Sequence, residues 1–119
     1  MNNYKDLKIW QKGMEIVTMT FDLAKRFPEG EKYTLRPQII RSAISIPSNI
    51  AEGTSRKTKK DFARFLEIAL GSCFELETQV IIIEQNNLVQ DFKFSDLNSS
   101  LVEEQKMIHS LTKKIRLET

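Results

Sequence analysis

The chain has 119 residues, of which 40% are hydrophobic and 29% charged, and its formal net charge is +2. That length supports one core and excludes a multidomain enzyme, and so small a net charge does not mark a nucleic-acid binder by composition. Four Gly and three Pro are too few turn residues for an all-β domain, so a few long helices are expected in one domain over residues 1–119. The lone cysteine, Cys73, forbids an intrachain disulfide and makes a cytoplasmic location the expectation. Met1 to Trp10 has no apolar core of signal-peptide length, and no run of about 18 apolar residues occurs, so a membrane partner is not expected.

From Asp6 to Phe27, Leu7, Trp10, Met14, Val17, Phe21 and Ala24 recur at three- and four-residue steps and predict a helix. Ile9, Ile16, Met19, Leu23 and Phe27 lie on the opposite side, so this helix has two apolar faces. The first stripe is assigned to the bundle. The second then needs cover from another helix or a neighbouring subunit, and it is assigned to an oligomer interface.

Pro28 and Gly30 break the pattern, and a loop is expected to about Tyr33. Thr34 can cap a second helix carrying Leu35, Ile39, Ala43, Ile46 and Ile50, ended by Gly53. Pro47 predicts either a kink or a break with Ser45 capping a restart. Thr58 to Asp61 reads as a capping-box variant opening a third helix to about Asn87, with Phe62, Leu66, Ala69, Cys73, Leu76, Val80 and Ile83 on one face. Ser95 or Asp96 starts a fourth, with Leu97, Leu101, Ile108, Leu111 and Ile115 inward. The fold class is all-α, and short connections favour an antiparallel up-down-up-down four-helix bundle.

No catalytic constellation stands out. His109 is the only histidine, so neither a metal site nor a diiron bundle using Glu67, Glu75, Glu77 and Glu84 can be assembled, and no cofactor is expected. Cys73 falls on the inward stripe and reads as core. The informative feature is charge segregation. Lys32, Arg36, Arg41, Arg56, Lys57, Lys59, Lys60 and Arg64 face only Glu52 and Asp61 over residues 32–64, whereas Phe65 to Glu104 holds eight acids and only Lys93. The cations at the start of the third helix, with its free amides, could hold phosphate, so Arg36, Arg41, Arg56, Lys57, Lys59, Lys60 and Arg64 are the candidate nucleic-acid contacts. Complementary basic and acidic surfaces could instead meet between subunits or on a protein partner.

The run Ser45-Ile-Pro-Ser-Asn-Ile-Ala-Glu-Gly53, then Arg56, Phe65-Leu-Glu-Ile-Ala-Leu-Gly-Ser72 and Glu75-Leu-Glu77 resembles the small bacterial proteins encoded in intervening sequences of large-subunit ribosomal RNA genes. Leu7, Trp10, Phe27-Pro28, Glu31, Tyr33, Leu35, Gln38 and Arg41 look like the same family, and the resemblance covers roughly residues 4 to 90. It implies a cytoplasmic four-helix bundle that forms a ring-shaped homopentamer, carries a ribosomal-protein label and has no catalytic residues to transfer. A related accessory protein of diversity-generating retroelements is a basic pentamer that binds nucleic acid and a reverse transcriptase. The expectation is therefore a non-enzymatic homo-oligomer that binds RNA or DNA through phosphate contacts, with an oligomeric protein scaffold as the alternative.

Overall fold

The computed structural model describes residues 3–31 and 35–118. Among them are four α-helices and no strand: α1 (Lys8–Lys25), α2 (Leu35–Thr54), α3 (Lys59–Gln85) and α4 (Phe94–Leu117), with short 3-10 turns at Tyr4–Asp6 and Glu29–Glu31. The helices pack side by side into a rod of 48 × 21 × 20 Å. Thr34, expected to cap α2, lies outside the described residues, as do Lys32 and Tyr33.

Local chemistry sets the ends of the helices. Thr58 caps α3 by accepting from the Asp61 amide at 3.1 Å, as its spacing predicts. At the other end Asn87 takes a left-handed conformation with φ 52°, and the Leu88 amide returns to the Ile83 carbonyl at 3.1 Å. Asn thus closes the helix in the role glycine commonly fills. α4 starts at Phe94, one residue before the expected Ser95, and Lys93 at its cap position makes no side-chain cap bond.

α2 neither breaks at Pro47 nor ends at Gly53; it runs unbroken to Thr54 with both residues buried. Around the proline turn, the Asn49 amide donates to the carbonyl and hydroxyl of Ser45 at 2.8 and 2.9 Å. The Ser45 hydroxyl shares a 2.8 Å hydrogen bond with Ser72 on α3. These side chains give the polar atoms beside a missing backbone donor local partners. Gly53 has a packing role instead: a Cβ there would lie 2.9 Å from both Phe62 Cδ1 and Phe65 Cβ. Its bare backbone lets the end of α2 rest on the start of α3.

The structure corrects the assignment of the two faces of α1 in part: Ala24 of the first stripe is buried and Leu7, Trp10 and Val17 pack against the core, as expected, but the second stripe is not left outside. Ile9, Ile16, Leu23 and Phe27, expected at an oligomer interface, are buried inside the chain's own core, and Met19 is half-buried against the same core. Met14 and Phe21, expected to face inward, are each 41% exposed. The reason lies in the positions that a count of apolar residues leaves blank. Gly13 and Thr20 align with Ile9, Ile16 and Leu23, and both are buried. Gly13 permits close approach, and the Thr20 hydroxyl satisfies itself on the Ile16 carbonyl at 2.7 Å. With Gly13 and Thr20 counted, the inward stripe is as continuous as the outer one. Elsewhere the pattern holds, with Ile39, Ile46, Ile50, Leu66, Cys73, Leu76, Ile83, Leu97, Leu101 and Ile108 in one core cluster.

Candidate nucleic-acid interface

The first two turns of α3 and the loop before them bring Arg56, Lys57, Lys59, Lys60 and Arg64 into one corner, all exposed. The corner is less positive than its sequence suggests. Arg56 pairs with Glu52 at 2.5 Å, Lys59 with Glu118 at 2.8 Å and Arg64 with Asp61 at 3.4 Å. Lys59 holds the Glu118 carboxyl below its ordinary range by hydrogen bond and charge. Lys57 and Lys60 form no ion pair among the described residues and leave the corner net cationic.

Aromatic rings accompany these cations, which a reading of sequence neighbours undervalues. The guanidinium carbons of Arg56 and Arg64 lie 4.5 and 4.8 Å from the centroid of the Phe65 ring. Two cations share one aromatic face system, and this favours fixed positions for their planes. Arg36 and Arg41 do not join them. Arg41 precedes the end of α2 by about 20 Å of helix axis, in a different groove that it lines with Gln38, Ser42, Ser45, Glu75 and Gln79.

Packing adds cations that are remote in sequence. The ion pairs Lys59–Glu118 and Arg116–Glu67, the latter at 2.7 Å, set the end of α4 beside the start of α3. Leu7, immediately before α1, lines one cleft with Arg56, Lys57 and Lys59, and a second of about 440 Å³ with Lys8, Lys106 and Lys114. One end of the rod thus gathers cations from α1, the α2–α3 corner and α4. The signal available in the sequence was the short link between the third and fourth helices, which keeps the two packed as neighbours.

Other candidates are bland in the structure. His109 is exposed, and among the described residues no group of three or more His, Cys, Asp or Glu could hold a metal ion. Cys73 is fully buried, and burial, with the charges of Glu104 and Glu77, pushes its thiol far above the ordinary range. No described helix is long and apolar enough to cross a membrane. Glu104, one of the eight acids between Phe65 and Glu104, is fully buried on α4.

The sequence profile of the 23S rRNA-intervening sequence proteins matches residues 5–110. The chain belongs to the 23S rRNA-intervening sequence protein family. A crystal structure at 1.70 Å resolution of a protein of unknown function from the S23 ribosomal protein family of Bacteroides thetaiotaomicron is similar to it. The two share 25% identity with a TM-score of 0.81, over 88% of this chain and 98% of that one. No curated protein matches the chain. In this member of the 23S rRNA-intervening sequence protein family, the polar residues that carry the resemblance, Ser45, Asn49 and Ser72, form the α2–α3 cross-link, and Gly53 forms the close helix contact beside the basic corner.

Proposed function

We propose that the protein is a non-enzymatic, cytoplasmic, antiparallel up-down-up-down bundle that assembles with copies of itself and binds RNA or DNA phosphates through its basic end. The carrying observation is the convergence there of Lys57, which has no ion pair among the described residues, with Lys8, Lys106 and Lys114 across Leu7; Lys60, also without an ion pair there, adds charge to the same helix start. Cations at that density bind phosphates by releasing counterions, whatever the base sequence. Glu52, Asp61 and Glu118 neutralise part of the corner, so each protomer contributes a weak site and assembly multiplies it.

Two exposed apolar surfaces support self-association. One, between α1 and α2, holds Met14, Phe21 and Ile44; the other, on α3, holds Ile68, Phe74 and Ile81. Two different surfaces on one protomer favour a head-to-tail contact, which closes into a ring when the rotation permits; the family resemblance implies five subunits. The names of the matched families, which refer to 23S rRNA and to a ribosomal protein, support RNA as the polymer.

Electrophoretic mobility shifts with single-stranded and duplex RNA and DNA at about 50 and 200 mM salt test this reading, since phosphate contacts weaken steeply across that range. Replacing Lys57 and Lys60 with Gln is expected to lower affinity and flatten the salt dependence without changing oligomer size. The exposed apolar surfaces favour a second reading, an oligomeric protein scaffold. An assembly seen by light scattering that shifts no nucleic acid at low salt would select it.

A further inference from the structure

The cleft shared by Leu7 and the basic corner measures about 280 Å³ and has two kinds of wall. Leu7, Gly53 and Phe62 give an apolar floor, and Arg56, Lys57 and Lys59 stand around it with Thr54 and Thr58. Phosphate contacts alone need no such floor. Thr54 donates its hydroxyl proton to the Ala51 carbonyl at 2.6 Å, whereas Thr58 accepts from the Asp61 amide and keeps its own proton for another acceptor. The Lys59 and Lys60 amides precede the first intrahelical bond of α3, and so add donors on the same side. Arg56 is fixed between Glu52 and the Phe65 ring, and so is held at the rim before any ligand arrives.

The geometry points to a site for one unstacked nucleotide, its base against Leu7 and Phe62 and its phosphate on Lys57, Lys59 and the Thr58 hydroxyl. This inference rests on the nucleic-acid reading above and narrows it to single strands. Base against aromatic and apolar side chains, with cations on the backbone, is the general chemistry of single-strand binding, and it tolerates any base because each has a π-face. A phospholipid shares the anionic group but fits the floor poorly. Behind the floor Gly53 is already in contact with Phe62 and Phe65, so the cleft stops there and offers an acyl chain no channel.

The test uses the full chain in its native assembly. Calorimetric titration with AMP, UMP and inorganic phosphate, mobility shifts with single-stranded and duplex oligonucleotides, and flotation with phosphatidylglycerol vesicles are compared for the unaltered protein and for Thr54→Phe and Phe62→Leu. AMP and UMP are expected to bind about tenfold more tightly than inorganic phosphate, the difference a stacked base contributes. Thr54→Phe, which fills the cleft, is expected to weaken single-strand binding by about tenfold and leave duplex binding within about twofold. Phe62→Leu, a milder change at the floor, is expected to act in the same direction, and circular dichroism checks that both variants stay folded. Equal binding of nucleotides and phosphate, or single-strand affinity unmoved by Thr54→Phe, overturns the inference and leaves a phosphate-binding basic end intact. Flotation with vesicles that Thr54→Phe abolishes overturns it in favour of a lipid. If no polymer shifts at low salt, the broader nucleic-acid reading fails, and nucleotide titration still decides the cleft by itself.

Discussion

Gly13 on α1 and Glu104 on α4 approach so closely that a Cβ on Gly13 would lie 3.2 Å from Glu104 Oε2. Glu104 is fully buried, and neither carboxyl oxygen has a hydrogen-bond partner among the described residues. Lys12, whose charge acts on it, is committed to Glu103 at 2.7 Å and Glu15 at 3.7 Å. Burial therefore dominates, and with the charges of Glu103 and Glu15 it pushes the Glu104 carboxyl up to about 8, against the lesser opposing pull of Lys12.

A pH dependence of stability follows from that position. In the unfolded chain this carboxyl releases its proton near 4.5, while in the fold it holds it to about 8. Between those values the folded state binds the extra proton, so this group's contribution to stability falls as pH rises through the window and levels off above it. Glu104→Gln removes the ionisation. Thermal melts of both proteins from pH 5 to 8 are expected to diverge, the variant gaining on the order of 3 kcal/mol relative to the unaltered chain between pH 5 and 7.5. Parallel curves would show that Glu104 does not titrate this way.

Gly53→Ala places a methyl group 2.9 Å from atoms of Phe62 and Phe65. Although alanine favours helix, the overlap is expected to prevail and cost about 1 to 3 kcal/mol. Chemical denaturation measures it. An unchanged or higher midpoint would mean that α2 and α3 yield freely at this contact.

Gly71 is the opposite case. A Cβ there meets nothing within 4 Å, and the residue lies between Ile68 and Phe74 on the exposed face of α3. Gly71→Ala is expected to stabilise the fold by about 1 kcal/mol, the ordinary helix-propensity gain. Gly71→Arg is expected to reduce oligomer size in light scattering while leaving the circular dichroism spectrum unchanged. A full-sized assembly from Gly71→Arg would remove the α3 face from the proposed contact.

Cys73→Ala is expected to cost about 1 kcal/mol of packing and to leave assembly and binding unchanged. The native thiol, buried and held protonated, is expected to react with a thiol reagent only at the rate of unfolding. Rapid labelling of the folded protein would contradict both the burial and the core role.

Thr58, Asp61 and the Phe62–Ile83 stripe specify α3 by local bonds and by a repeat matching the helical period, so the sequence alone determined the helix content and the core stripes of α2, α3 and α4. It also determined that Arg56 to Arg64 form one cationic neighbourhood, because a nine-residue segment cannot separate them. The choice between the two faces of α1 was tertiary. Both stripes have helical spacing, and what decided between them was whether Gly13 and Thr20 could sit against other helices, a property of partners that lie far along the chain. The same holds for Glu104, which packs against Gly13 of another helix, and for Lys8 and Lys114, which line one cleft although more than a hundred residues separate them. Periodicity reports which residues share a side of one helix. Only packing decides which side is covered, and which charges from different helices end up together.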